Sequence, residues 1–234
     1  MNTRLFKEVR DQVVSAALYE DGIIGSSSQI GTLREKAVHA ITKHYIEPDP
    51  SFHEIKIEGF HADIINDQGI IEIQTGNFDK LRRKLEKLLD FHQITIVFPI
   101  SHIKMIYWID HETGELSNPR KSTKTGNPYN IFRELYKIKK YLLHPNLSFH
   151  IILMDMEEYR LLDGWDKNKK KGATKCDRIP TKLVDEVKIN SLKDYKQFIP
   201  LDLKAPFTVK DFKIKSKASL RDAQVAVHIL NYTG

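Results

Sequence analysis

Ile57-Glu58-Gly59-Phe60-His61-Ala62-Asp63-Ile64-Ile65-Asn66-Asp67-Gln68-Gly69-Ile70-Ile71-Glu72-Ile73-Gln74-Thr75 reads as a β-hairpin: two β-branched runs joined by the turn Asn66-Asp67-Gln68-Gly69. Side chains of a strand alternate between faces. On the second strand Ile71 and Ile73 therefore point one way, Glu72 and Gln74 the other. On the first, Asp63 shares a face with His61, opposite Ala62 and Ile64. A register that sets Asp63 beside Glu72 brings two carboxylates and an amide together on an otherwise apolar sheet. Like charges that close repel unless a cation sits between them. Hard oxygen ligands at this spacing suit Mg²⁺ or Mn²⁺. The plain alternative is that both acids line the solvent face of a hairpin.

Outward from the hairpin, residues 77 to 91 predict a helix with the apolar stripe Phe78, Leu81, Leu85, Leu88 and Leu89. Arg82, Arg83, Lys84 and Lys87 are read as filling its other faces. Ile94 to Pro99 is an unbroken apolar run, as expected of a strand buried on both faces. Strand, helix and buried strand make a βαβ unit with a right-handed crossover. Upstream, Thr32 is the expected N-cap of a helix, with Glu35 three residues on as its capping-box partner. Leu33, Ala37, Val38 and Ile41 form the stripe, and Glu47-Pro48-Asp49-Pro50 ends it. Glu35 has a second reading, as a carboxylate offered to the acidic patch. Residues 3 to 20 predict a further helix.

The rest of the chain predicts a strand over His102–Asp110, a basic loop from Arg120 through Lys121 and Lys124 to Gly126, a helix over 129–143 and a strand over Leu147–Met156. Residues 163 to 178 are polar and lysine-rich, and Lys169, Lys170 and Lys171 read as a solvated loop that would bind phosphates by counterion release. Cys176 falls in that loop. A helix is expected over 181–199. Thr208 and Ser219 then read as N-caps of two short helices with a tight turn at Lys217, a helix-turn-helix pattern. Arg221 and Gln224 fall early on the outer face of the second helix, where base edges are usually read. The alternative is a small helical cap on the core. The resulting division is a core over 1–165, a basic linker over 166–180 and a C-terminal module over 181–234.

Composition narrows the function. The 234 residues, enough for one sizeable core and a small accessory domain, are 41% hydrophobic and 29% charged, ordinary for a soluble globular protein. No run reaches the length of a membrane span, and no apolar leader precedes the first helix, so a cytoplasmic protein without a membrane partner is expected. A single cysteine excludes an internal disulfide or a thiolate cluster within one chain. A formal charge of +6 favours a polyanion such as DNA. No HExxH, GxGxxG, GxxxxGK[ST] or GxSxG pattern occurs, so zinc-protease, nucleotide-binding and serine-hydrolase readings lack support.

The order of a helix carrying Glu35, a strand with Asp63, a strand with Glu72-Ile73-Gln74, a helix and a buried strand resembles the core of the PD-(D/E)xK, or restriction-endonuclease-like, nuclease superfamily. That resemblance implies a mixed sheet flanked by helices and a metal-dependent DNA endonuclease. Asp63 and Glu72 match the family's acids, the Ile73 carbonyl is a further implied metal ligand, and Glu35 matches a helical Glu of some members. Gln74 stands where lysine is usual. Its amide can orient a water but cannot act as a charged group or a base. A catalytically inactive DNA-binding relic of the fold is therefore the alternative. Double-stranded DNA as partner, Mg²⁺ or Mn²⁺ as cofactor and a homodimer follow from the same resemblance. Glu72-Ile73-Gln74-Thr75, Val97-Phe98-Pro99-Ile100, Leu143-His144-Pro145-Asn146, Glu158 to Trp165 and Ile179-Pro180-Thr181 are also similar to stretches of an uncharacterised bacterial family with that core and a helix-turn-helix-like C-terminus.

Overall fold

The computed structural model describes residues 1–20, 36–164 and 172–234. Glu35 with its cap partner Thr32, and Lys169, Lys170 and Lys171, lie outside the described residues. The architecture is α/β, with a mixed seven-stranded sheet flanked by helices. The chain divides into two compact units that interleave in sequence. Met1–Pro50, Ser101–Gly126 and Leu153–Asp185 form one, and Ser51–Ile100, Asn127–Ile152 and Glu186–Gly234 the other.

The second unit carries the hairpin. Strand β1 (His53–Ile57) pairs antiparallel with β2 (Phe60–Asn66), and β2 with β3 (Gly69–Ile73), in the register Ile64↔Ile71, Ile65↔Ile70, Asn66↔Gly69. The turn forms as its residues demand: Asn66 Oδ1 accepts from the Gln68 N–H at 3.0 Å, and Gly69 takes φ +101°. A Cβ on Gly69 would also lie 2.5 Å from the Gln93 carbonyl, which accepts from the Ile70 N–H. Gly69→Ala should therefore lower stability by about 2 kcal/mol or more, from backbone strain plus the clash. Gly59→Ala, at φ +82° with open space around it, should suffer the strain alone. Urea denaturation of the two variants separates the terms, and equal losses would refute the clash.

After β3, a short 3-10 turn (Phe78–Leu81) leads into α3 (Arg82–Leu88), and the chain returns as β4 (Ile94–Asp110) parallel to β3. The crossover and the predicted stripe are both present: Phe78, Leu81, Leu85, Leu88 and Leu89 are buried. Phe78 meets Phe98 edge-on at 5.4 Å and stacks on Phe149 at 6.5 Å. The two strands expected at 94–99 and 102–110 are a single strand. Pro99 does not break it, because Val97 and Pro99 face the same neighbour and the register with β3 ends at Ile73↔Val97. The N–H that proline lacks falls one step beyond the register that ends at Ile73↔Val97, so no bond within that register is lost. In the same unit 129–143 is a 3-10 turn, the short helix α4 (Phe132–Lys137) and a second 3-10 turn rather than one helix.

In the first unit α1 (Thr3–Glu20) and α2 (Lys36–Ile46) pack together, with Phe6 edge-on to Tyr45 at 5.6 Å. The basic stretch expected as a loop contributes a two-residue strand, β5 (Arg120–Lys121), paired antiparallel with β4.

Like β4, two later strands run on from one unit into the other, β6 (Leu147–Leu162) and β7 (Thr174–Ile189). They complete the order β1-β2-β3-β4-β6-β7. Paired groups on them run in opposite senses, 158 with 178, 155 with 181 and 150 with 186, the signature of an antiparallel ladder. The helix expected over 181–199 is thus corrected. The chain stays in strand to Ile189 and then makes a 3-10 turn, Leu192–Phe198. The linker expected over 166–180 is strand from Thr174 onward, and Cys176 is buried on that strand rather than exposed in a loop. Proline at 180 is tolerated because β7 is the last strand of the sheet.

At the C-terminus α5 (Val209–Ser216) and α6 (Leu220–Thr233) begin at the predicted caps. Thr208 accepts from the Asp211 N–H, Ser219 from that of Asp222, and Lys217 turns the chain at φ 55°. The buried face of α6 is Asp222, Ala223, Ala226, Ile229 and Thr233, and Leu220 at its start is exposed. Asp222 draws the helix round: it accepts from Ser219 Oγ at 2.6 Å and pairs with Arg133 of α4.

Candidate active site

Asp63 lies one residue beyond the Ile64↔Ile71 pair, so the ladder sets it across from Glu72. The hairpin thereby brings the two acids to adjacent strands. Asp63 Oδ2 accepts from the Ile73 N–H at 2.6 Å. Glu72 is 3% exposed. Its Oε1 accepts from Lys84 Nζ at 2.6 Å, and the same ammonium donates to the His61 carbonyl at 2.6 Å. Lys84 is thus clamped between β2 and β3 by two acceptors, with 12% of its side chain exposed. A buried carboxylate needs such a partner, since an unpaired charge away from water is strongly destabilising.

Lys84 is the residue that sequence reasoning missed. By sequence it is one of several cations expected on the outer faces of α3. A signal was present. Lys84 sits three residues after Leu81 and four before Leu88, on the edge of the buried stripe, where Arg83 and Lys87 do not.

The other candidates fall as follows. Gln74 follows the last residue of β3, is half-buried, and donates its backbone N–H to the Val97 carbonyl at 2.9 Å. Ile73 lies between Glu72 and Gln74 with its side chain in the core. Arg120 and Lys121 on β5, Lys124 after it, Lys217 in the α5–α6 turn, and Arg221 and Gln224 on α6 are all exposed. Among the described residues no three His, Cys, Asp or Glu side chains converge as a metal cage. Two carboxylates are nevertheless what a Mg²⁺ ion shared with substrate phosphates takes from a protein. The donor chemistry of Asp63 and Glu72 fits that mode.

The first unit holds a second charged cluster that the sequence reading did not assemble. Glu158 on β6 is 0% exposed and receives Lys104 Nζ at 2.7 Å, Arg160 Nε at 2.8 Å and Arg178 Nε at 3.2 Å. Burial works against its charge, but the hydrogen bonds from Lys104 and Arg160 outweigh it and hold the carboxyl down at about 2. Neighbouring Asp177 is the opposite case. It is 4% exposed, and Oδ2 has no hydrogen-bond partner among the described residues. Burial pushes it up to about 7, against the pull of the Arg178 N–H.

The sign of the Asp177 effect follows. The folded chain keeps this proton where the unfolded carboxyl, at 3.8, has lost it. Its contribution is complete below pH 3.8 and is lost as pH rises through about 7. Asp177→Asn should flatten that decline, so the variant gains on the native chain between pH 5 and pH 8 in urea denaturation. A parallel decline in both proteins would show that Asp177 ionises freely.

The family described as a domain of unknown function (DUF8091) matches residues 36–190. The chain belongs to that family. The matched DUF8091 region includes Asp63, Glu72, Gln74 and Lys84 as well as the Glu158 cluster, and stops short of α5 and α6. An uncharacterized protein of Treponema pallidum (strain Nichols) is 33% identical over 153 residues, covering 64% of this chain. The chain spans 59% of the length of that relative. No solved structure matches. Among the described residues no helix is long and apolar enough to cross a membrane.

Proposed function

We propose that this DUF8091 protein is a divalent-metal-dependent DNA endonuclease with a restriction-endonuclease-like core, and that its site is formed by Asp63, Glu72, Lys84 and Gln74. The observation that carries the reading is the buried Glu72 beside Asp63 on a hairpin, with the Lys84 ammonium at 2.6 Å. The order of α2, the hairpin, α3 and a parallel β4 supports the same reading. Asp63 and Glu72 would hold Mg²⁺ or Mn²⁺, with the Ile73 carbonyl next to Glu72 in the chain. Bound there, such an ion neutralises a phosphate and acidifies a water.

The chain's own groups do the rest. Lys84 places a positive charge beside Glu72, which Gln74 cannot supply, and is positioned to balance charge that builds on a phosphate. The Ile73 N–H holds the Asp63 carboxylate in one orientation. The Gln74 amide can orient a water by hydrogen bonding but cannot take its proton. In this reading Lys217, Arg221 and Gln224 of α5–α6 reach DNA in the manner of a winged helix, and Arg120, Lys121 and Lys124 bind phosphates. The test is nicking of supercoiled plasmid in Mg²⁺ or Mn²⁺ by the native chain and by Asp63→Ala, Glu72→Ala and Lys84→Ala.

A second reading, a catalytically inactive DNA-binding protein on the same fold, is favoured by one observation. Asp63 and Glu72 each already hold an internal donor, and no third ligand joins them among the described residues. Binding that survives EDTA, with no cleavage of DNA or RNA, selects it.

A further inference from the structure

On the unit formed by residues 1–50, 101–126 and 153–185, the sheet sorts its charges by face. Lys104 and Glu158 meet across β4 and β6, so both lie on one face, together with Arg160, two residues further along β6. Arg178 of β7 reaches the same carboxylate. The contacts 158 with 178, 155 with 181 and 150 with 186 keep a single register without a bulge. Lys182, four residues past Arg178, therefore returns to that face, and it is exposed. The β4–β5 register pairs Arg120 with Ile106, two residues from Lys104, which adds Arg120.

Five cations thus share a face with Glu158. Asp110, at the far end of β4, is occupied by the N–H groups of Glu112 and Thr113, each at 2.9 Å. Of the remaining acids of these strands, Asp155, Glu157, Asp177 and Asp185 stand at odd positions on the opposite face, and Glu186, at an even position further along β7, meets His150 at 3.2 Å. On the opposite face Glu157 accepts from Tyr159 at 2.9 Å.

One cation neutralises one carboxylate. Three converge on Glu158, so two charges are in excess, and the Arg178 side chain is 41% exposed. Cations held that close repel one another. Lys104 registers this: burial, with the charges of Arg178 and Arg160, holds its pKa below the ordinary lysine value despite the pull of Glu158. An anion from solvent relieves the repulsion, and guanidinium forks match phosphate oxygens in particular.

The positive row crosses β5, β4, β6 and β7. At about 4.8 Å per strand it is longer than one phosphate group and suits a repeating anion. Trp108, two residues from Ile106 on the same face and half-buried, offers a surface on which a base can stack. We infer that Lys104, Arg120, Arg160, Arg178 and Lys182 hold the phosphates of a nucleic-acid strand, with Glu158 as the buried anchor that positions Lys104, Arg160 and Arg178. This shares the substrate class of the proposed function but does not depend on cleavage.

The test is fluorescence anisotropy of labelled single-stranded and duplex oligonucleotides, in EDTA, titrated with salt. The variant is Arg120→Gln/Arg178→Gln, which leaves Lys104 and Arg160 on Glu158; Lys182→Gln is a second, fully surface change. Thermal melting confirms that each remains folded. The slope of log affinity against log salt should fall by about two for the double variant and about one for Lys182→Gln, uniformly across sequences. Unchanged slopes in folded variants overturn the inference. So does inorganic pyrophosphate binding as tightly as the oligonucleotides, which would make the face a small-anion site. The two readings fail separately. If the native chain never cuts but the slopes fall, the endonuclease is refuted and this face stands; if it cuts and the slopes hold, this face is refuted.

Discussion

On the proposed endonuclease reading, Glu72→Ala should leave plasmid DNA supercoiled where the native chain is expected to nick it in Mg²⁺ or Mn²⁺. The expected loss is about a hundredfold or more. Removing an outer partner of a metal site alone typically costs about 10–100-fold, and Glu72 is proposed as a ligand itself. The geometry makes the experiment more demanding than a simple knock-out. Glu72 is also the counter-ion of Lys84, whose ammonium is largely buried, so the alanine variant strands a charge. Glu72→Gln keeps the volume and an acceptor oxygen for Lys84, and is the cleaner probe of ligation. Asp63→Ala should be equally inactive while disturbing the fold less, because it strands the Ile73 N–H at the end of the β2–β3 ladder rather than a largely buried ammonium. Lys84→Arg distinguishes charge from shape: retained cleavage assigns Lys84 an electrostatic role, whereas loss with an unchanged melting temperature assigns a geometric one. If folded Glu72→Gln cuts as well as the native chain, the hairpin is not the site.

The largest effect on stability is expected at Glu158. Glu158→Ala removes the single anion that Lys104, Arg160 and Arg178 surround. Breaking a buried ion pair by deleting one partner costs about 3–5 kcal/mol, because the remaining charge is left without compensation. Here three charges are left, two of them with only about a fifth of the side chain exposed. Arg178→Gln should cost far less, since its contact is the longest and its side chain the most exposed of the three. The pH dependence runs opposite to that of Asp177. Glu158 has a folded value of about 2 against an ordinary 4.5. Its stabilisation is complete above pH 4.5 and is lost as pH falls through about 2. Native protein should therefore weaken on acidification within that window, and Glu158→Gln should not. Identical acid profiles for the two proteins would mean the network leaves the carboxyl unshifted.

The sequence exposed what is encoded locally. The hairpin, its glycine, the stripe of α3, the buried run from Ile94 and the caps at Thr208 and Ser219 each rest on residues a few positions apart, and the structure has all of them. What misled was a pattern that serves two periods. Leu183, Val184 and Val187 fit a helical stripe, yet Leu183, Val187 and Ile189 fit alternation equally well, and pairing with β6 decided for strand. The stretches 94–99 and 102–110 read as two strands because the end of their partner at Ile73, beyond which Pro99 is tolerated, is set by pairing that no local pattern shows. Asp63 and Glu72 were legible because a tight turn joins them. Lys84 arrives from a helix twelve residues later, and the cations around Glu158 come from three strands, so their meeting is set by topology that no short window contains.

Strands β4, β6 and β7 each pass from one compact unit into the other, at Ile100–Ser101, Ile152–Leu153 and Asp185–Glu186. Neither unit can therefore be excised, expressed alone or exchanged between proteins as a cassette, since three of the five cuts sever a hydrogen-bonded strand. A calorimeter should therefore see one melting event.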